Sequence, residues 1–273
     1  MVPRVLTALV GIPVLLAAIW WGTPWLTILV ALAAVLGIRE IYRLHDSEAT
    51  PLPVSLGAVW VTAFVLGGQA ASDLNEFIIT SLGIFIGGTF IALLWFIAVY
   101  RGRDFLPALA YLLGGPVYVG FLLSHALLLR ELGGASDLGR NWLLFALLVT
   151  FATDTGAFFV GRSMGRHRML PGISPNKTWE GALGGFILAI IAALALGSLL
   201  DLGLERWQHA AIGATVGVVS QVGDLFESKL KRISQVKDAG SIIPGHGGIL
   251  DRLDSLLVSI PTVYYLVILV FEP

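Results

Sequence analysis

The chain has 273 residues, of which 56% are apolar and 13% are Asp, Glu, Lys or Arg, and its net charge is −1. Soluble domains carry roughly 25% charged residues, and a mean hydropathy of +0.86 exceeds what a globular core absorbs. The composition therefore predicts a polytopic membrane protein and excludes a soluble enzyme or a disordered tail. The near-neutral charge argues against nucleic acid as a partner, and the absence of cysteine excludes disulfides and thiolate metal sites.

A membrane-spanning helix needs about 20 mostly apolar residues. Nine candidate stretches occur in chain order: Val5 to Gly22, Trp25 to Ile38, Pro53 to Gly68, Phe77 to Tyr100, Phe105 to Leu129, Asn141 to Gly161, Gly181 to Leu200, Ala210 to Phe226 and Ile249 to Phe271. The predicted fold class is all-α, with about nine transmembrane helices. Arg4 followed by an apolar run resembles a signal peptide, but Trp20, Trp21, Gly22 and Pro24 make a poor small-residue cleavage site, so the first stretch is read as a span.

Nine spans place 14 of the 17 basic residues on one side and leave Arg130, Arg140 and Arg206 on the other. Cytoplasmic loops retain Lys and Arg, so this asymmetry predicts a cytoplasmic amino terminus and cytoplasmic loops at Arg162 to Glu180 and Glu227 to Arg252. The expected location is the inner, cytoplasmic membrane, with the active site facing the cytoplasm. Gly83 with Gly87, Gly181 with Gly185 and Gly213 with Gly217 are small-xxx-small pairs suited to helix contact. No internal repeat of the transporter kind is visible.

Chemistry concentrates late in the chain. Residues 1–140 are read as a scaffold of about five spans, and 141–273 as a catalytic region of about four spans with the two cytoplasmic loops. In the eighth span Gly217, Ser220, Gln221, Asp224 and Ser228 recur at helical spacing, with Glu227 close to the same face. The ninth opens with Asp251, Asp254 and Ser255, and the sixth carries Thr150, Thr153 and Asp154. Carboxylates at membrane depth cost roughly 2.5 to 3.5 kcal/mol each, so they persist when paired or metal-bound. Hard oxygen ligands without His or Cys among them favour Mg²⁺ over Zn²⁺. Glu227 and Asp238, which stand beside lysines, fit simple ion pairs as well as they fit a metal site.

The long loop supplies positive charge through Lys231, Arg232 and Lys237. Gly245, Gly247 and Gly248 surround His246 just ahead of a helix start, where backbone N–H groups offer an anion site. In the first loop Ser174-Pro175 reads as a helix start, with Ser as cap and Pro at the first position, which places Lys177 on the first turn. His45, His125, His167 and His209 have no comparable neighbours. Basic groups, helix ends and a carboxylate cluster are the parts of phosphoryl or nucleotidyl transfer. These residues alone leave open an ion-coupled transporter with an acidic pathway.

The stretch from Ser228 to Asp254 resembles the signature of phosphatidate cytidylyltransferases, the CDP-diacylglycerol synthases. It carries Ser228, Lys231-Arg232, Lys237-Asp238, Gly240, Pro244, His246-Gly247-Gly248, Asp251-Arg252 and Asp254. Asp154-Thr155-Gly156-Ala157-Phe158 with Gly161-Arg162, and Ser174 through Gly181, are similar to the family as well, although Phe158 stands where a tyrosine is common. The resemblance implies transfer of CMP from CTP to phosphatidate, giving CDP-diacylglycerol and pyrophosphate for phospholipid biosynthesis. It also implies a Mg²⁺ requirement, a monovalent cation such as K⁺ beside it, and a homodimer among membrane lipids. Carried over, it makes Asp224, Asp251 and Asp254 metal ligands supported by Asp154 and Glu227. Lys177, Ser228, Lys231, Arg232, Lys237, His246, Gly247, Gly248 and Arg252 would then hold the phosphates, with Asp224, Lys231, Arg232, His246, Asp251 and Asp254 counted as catalytic. A CTP-dependent polyprenol or lipid kinase is the nearest alternative. An ion-coupled transporter fits less well, because the span centres carry no charged residue apart from Asp154.

Overall fold

A long apolar run satisfies its backbone groups in lipid within its own segment by coiling into a helix. The structure is a computed structural model that describes residues 2–45, 50–134, 137–240, 242 and 247–271. Among these, nine helical segments follow in order: α1 (Val2–Trp21), α2 (Trp25–Leu44), α3 (Val54–Ala70), α4 (Leu74–Val99), α5 (Phe105–Glu131), α6 (Asp137–Met164), α7 (Trp179–Leu199), α8 (Arg206–Ile233) and α9 (Leu250–Phe271). Six of them are long and apolar enough to cross a membrane, and α1 and α3 add shorter apolar helices. The chain is a polytopic membrane protein. The polar stripe read in the eighth span keeps α8 out of the six, despite its 28 residues.

The helices run past the apolar stretches that predict them. α2 continues from Ile38 through Glu40 to Leu44, and α8 extends from Ala210 back to Arg206 and from Phe226 on to Ile233. One element departs from helix: a two-stranded antiparallel hairpin, β1 (Arg168–Leu170) and β2 (Ser174–Thr178), pairs Arg168 with Thr178 and Leu170 with Ser174. This corrects the helix start expected at Ser174-Pro175. α7 begins at Trp179 instead, where Thr178 accepts the Gly181 N–H at 3.1 Å as the cap, so Lys177 sits on a strand.

The chain divides into two compact units. The first joins Met1–Leu128 with Ser234–Arg252, and the second joins Leu129–Ile233 with Leu253–Pro273. In the first, α2 packs on α1, α3 and α5, and α3 packs on α4. α5 carries a π-helical turn at Val117–Phe121, directly after Pro116, a residue that removes a backbone donor and disturbs the ladder. α4 buries only Phe77, Ser81, Ala92 and Phe96 within the chain, and Ile79, Ile86, Phe90 and Ile97 point outward, the face a bilayer solvates.

In the second unit α7 packs between α6 and α8, and the later part of α9 packs on α6 and α8. Small residues make these seams. Gly181, Gly185, Ala189, Ala193 and Gly197 form the buried face of α7. A Cβ at Gly185 would lie 2.7 Å from the Thr153 carbonyl, and one at Gly213 would lie 2.6 Å from Ala193 Cβ. Two of the expected glycine pairs therefore mediate close contact. The third does not: a Cβ at Gly83 or Gly87 meets nothing within 4 Å, because both lie on the outward side of α4.

Candidate functional site

In the second unit three carboxylates collect from three helices. α6 supplies Asp154, α8 supplies Asp224, and the turn within α9 supplies Asp254. They interact electrostatically with one another and with Lys177. The hairpin delivers Lys177, whose Nζ lies 2.7 Å from Asp224 Oδ2, while Ser228, one turn along α8, donates to Asp224 Oδ1 at 3.3 Å. The Ser255 side chain lies close to Asp154, and Asp254 Oδ1 accepts the Ser255 N–H at 2.6 Å. A cavity of about 240 Å³ opens here, lined by Asp154, Asn176, Lys177, Gln221 and Asp224 together with apolar residues such as Ala157 and Met169. Phe158 also lines it, so the aromatic at that position reaches the cavity without a hydroxyl.

Glycine, hydrogen bonds and charge hold the frame. Gln221 donates to the Ala182 carbonyl at 3.1 Å and to the Gly217 carbonyl at 2.6 Å, which ties α8 to α7 beside Asp224. Arg232 Nε donates to the Ile173 carbonyl at 3.1 Å, fastening the end of α8 to the hairpin that carries Lys177. Glu180 accepts the backbone N–H groups of Arg166 and His167 and lies 2.6 Å from His167 Nδ1. His167, without a role on sequence grounds, thus fixes the entry to the hairpin. Glu227 is fully buried and pairs with Lys231 at 2.7 Å, the ion-pair alternative rather than a place among the three aspartates.

Four carboxylates against two ammonium groups leave this region two formal charges short of neutral. That charge and the oxygen-only donor set fit a divalent cation such as Mg²⁺. Among the described residues no three His, Asp or Glu side chains stand close enough to hold an ion. Lys177 and Ser228 both engage Asp224, so cation binding requires these side chains to turn.

In the first unit the signature loop is organised by carboxylates of its own. Asp251 Oδ2 accepts N–H groups from Gly248 at 2.8 Å and Ala239 at 3.0 Å. Gly247 takes φ +85, a conformation that favours glycine. Glu40 of α2 accepts the N–H groups of Ile249 at 3.0 Å and Leu250 at 2.9 Å. The free N–H groups expected around Gly247 and Gly248 are corrected on this point: those of residues 248–250 are already taken by Asp251 and Glu40. Lys237 and Arg252 are exposed. His246, with Pro244 and Gly245, lies outside the described residues.

Sequence reading passed over Glu40, and it named Ser255 and Glu180 only as members of a stripe and a motif, without a role of their own. Glu40 stands after an apolar run between Arg39 and Arg43, a setting that does not mark it out.

Comparison with known proteins matches the model of the "Cytidylyltransferase family" over residues 2–270. The chain is 34% identical to the phosphatidate cytidylyltransferase of Staphylococcus saprophyticus over 97% of this chain and 98% of that one. Identity to the Bacillus subtilis phosphatidate cytidylyltransferase is 31%, over 97% of both chains. A family match over nearly the whole chain, with relatives above 30% identity covered almost in full, shows that this chain belongs to the cytidylyltransferase family.

Proposed function

We infer that the protein is a phosphatidate cytidylyltransferase, which transfers CMP from CTP to phosphatidate and releases pyrophosphate. The observation that carries the reading is the meeting of Asp154, Asp224 and Lys177 at one cavity, with Asp254 in electrostatic reach of all three, in a chain whose full-length relatives bear that name.

A phosphate oxygen of phosphatidate attacks the α-phosphorus of CTP, and the bond to the β-phosphate oxygen breaks. The nucleophile is an anion at neutral pH, so no general base is needed. The barrier lies in bringing two polyanions together, and fixed positive charge lowers it. Lys177 and Lys231 supply that charge within the second unit, and Arg232, Lys237, His246 and Arg252 add to it on the resemblance. Asp224 and Asp254, with Asp154 beside them, are the residues to hold Mg²⁺. Asp251 joins them on the resemblance. Bound there, Mg²⁺ supplies charge neutralisation to the phosphates. Ser228, Gly247 and Gly248 act by shaping the site, a monovalent cation such as K⁺ balances the remaining carboxylates, and the active form is a homodimer.

Following the phosphates of CTP tests the reaction. Label at the α-position should enter the lipid, and label at the γ-position should leave as pyrophosphate, in amounts equal to the lipid product. Label from the γ-position in the lipid, with CDP released, would identify a lipid kinase instead.

The site faces the cytoplasm in this reading. The chain lacks cysteine, so single thiols report topology cleanly. Gly172, in the hairpin turn, has open space where a Cβ would stand, and Glu205 precedes α8 on the other side. An impermeant thiol reagent added to intact cells should label Glu205→Cys and spare Gly172→Cys until the cells are opened. The reverse pattern inverts the topology.

A further inference from the structure

We propose that Glu40, on α2 in the part of the chain that carries no signature residue, is a positioning residue for cytidylyl transfer: it clamps the signature loop around Asp251. Only 1% of Glu40 is exposed. A buried carboxylate is retained where it is compensated, and both of its oxygens are engaged. Oε1 accepts the Ile249 N–H at 3.0 Å and Oε2 the Leu250 N–H at 2.9 Å. Bonds of this kind, from N–H to an ionised oxygen, are about twice as strong as neutral ones. They also fall at the start of α9, where unpaired donors and the helix dipole favour a negative group. Glu40 therefore takes up donors that no acceptor within the helix can use.

Two glycines of the signature are explained by the same carboxylate. A Cβ on Gly240 would run into Glu40 Oε1, and one on Gly248 would run into Oε2. The carboxylate thus lies in a slot whose two walls, at residues 240 and 248, admit no side chain. Asp251 closes the clamp, since its Oδ2 accepts N–H groups from Ala239 and Gly248, next to each wall. Arg43, one turn along α2, lies within electrostatic reach of Glu40, as does Asp251. The placement of Asp251 consequently depends on a residue 211 positions earlier in the chain.

The test uses the full-length protein in detergent and lipid micelles. Glu40→Gln offers one acceptor and turns an amide N–H₂ toward the second backbone donor. It is expected to lower kcat at least about tenfold with little change in KM for CTP, while the melting temperature stays near that of the parent. Gly248→Ala is expected to lose activity to a similar degree. Adding Glu40→Asp, whose carboxylate is drawn back by one methylene, is expected to restore at least about threefold of what Gly248→Ala loses, the coupling that residues in contact show. Parental kcat in Glu40→Gln overturns the proposal, as does a loss that tracks only the folded fraction. Where Glu40→Gln does not fold, the glycine pair decides: activity in the double variant no higher than in Gly248→Ala alone overturns it.

Discussion

Replacing Asp224 by Asn is expected to lower kcat by more than about a hundredfold, because metal and charge positioning contribute several kcal/mol to such barriers. Asn keeps the size of the side chain and can still accept from Ser228. It loses the charge that holds Lys177 at 2.7 Å and that a cation needs. Asp254→Asn is expected to behave in the same way, since it shares the electrostatic environment of Asp224, Lys177 and Lys231. Both variants should elute as folded protein on gel filtration, because neither oxygen pattern spans a packed apolar seam. The measurement is the initial rate of label transfer from CTP to lipid at saturating substrates. Rates within about fivefold of the parent in both variants, with activity still abolished by a chelator, would move the cation away from these aspartates.

Glu227→Gln separates the two kinds of carboxylate on α8. Glu227 is fully buried and its ion pair with Lys231 lies within one helix, so breaking it deprives Lys231 of its 2.7 Å counter-charge. Removing one partner of a buried pair costs about 3 to 5 kcal/mol, and the loss falls on stability first. Asp224, partly exposed to the cavity, carries the opposite expectation.

What the sequence makes legible follows from the range of the interactions involved. Helices across the chain are legible because hydropathy is a local property, and the Asp224 stripe is legible because helical spacing puts Gln221, Asp224 and Ser228 on one face. The hairpin is not. Ser174-Pro175 and Thr178 both fit the rule for a helix cap, four residues apart, and pairing of Arg168 with Thr178 decides for the second. The ties from Glu180 to residues 166 and 167 reinforce that choice. Glu40 is the furthest from legible. Its partners lie 209 and 210 residues away, and beside Arg39 and Arg43 it looks like any charged residue at a helix end. The glycines that read it, Gly240 and Gly248, show in the sequence only as members of a motif.

Gly213→Leu is expected to abolish the folded protein, while Gly83→Leu is expected to leave the fold of the chain intact. In lipid, helix association relies on close packing of small residues rather than on removal of apolar surface from water. A Cβ at Gly213 would lie 2.6 Å from Ala193 Cβ, 2.9 Å from the Ala189 carbonyl and 3.0 Å from Ile190 Cα. Two of these three obstacles are backbone atoms and the other is a Cβ, and none can rotate away. Overpacking commonly costs about 1 to 3 kcal/mol, occasionally more, and a whole isobutyl group against backbone belongs at the top of that range. Gly213 also lies 11 residues before Asp224 on α8, or roughly three helical turns. Parting α8 from α7 would therefore carry Asp224 away from Lys177, and Gly213→Ala should show the milder form of the same defect, a lowered melting temperature with kcat falling alongside it. Gly83 belongs to an equally good sequence motif but has open space around it, so the pair separates motif from contact. A melting temperature for Gly213→Leu equal to that of Gly83→Leu would show that the α7–α8 seam does not hold the second unit together.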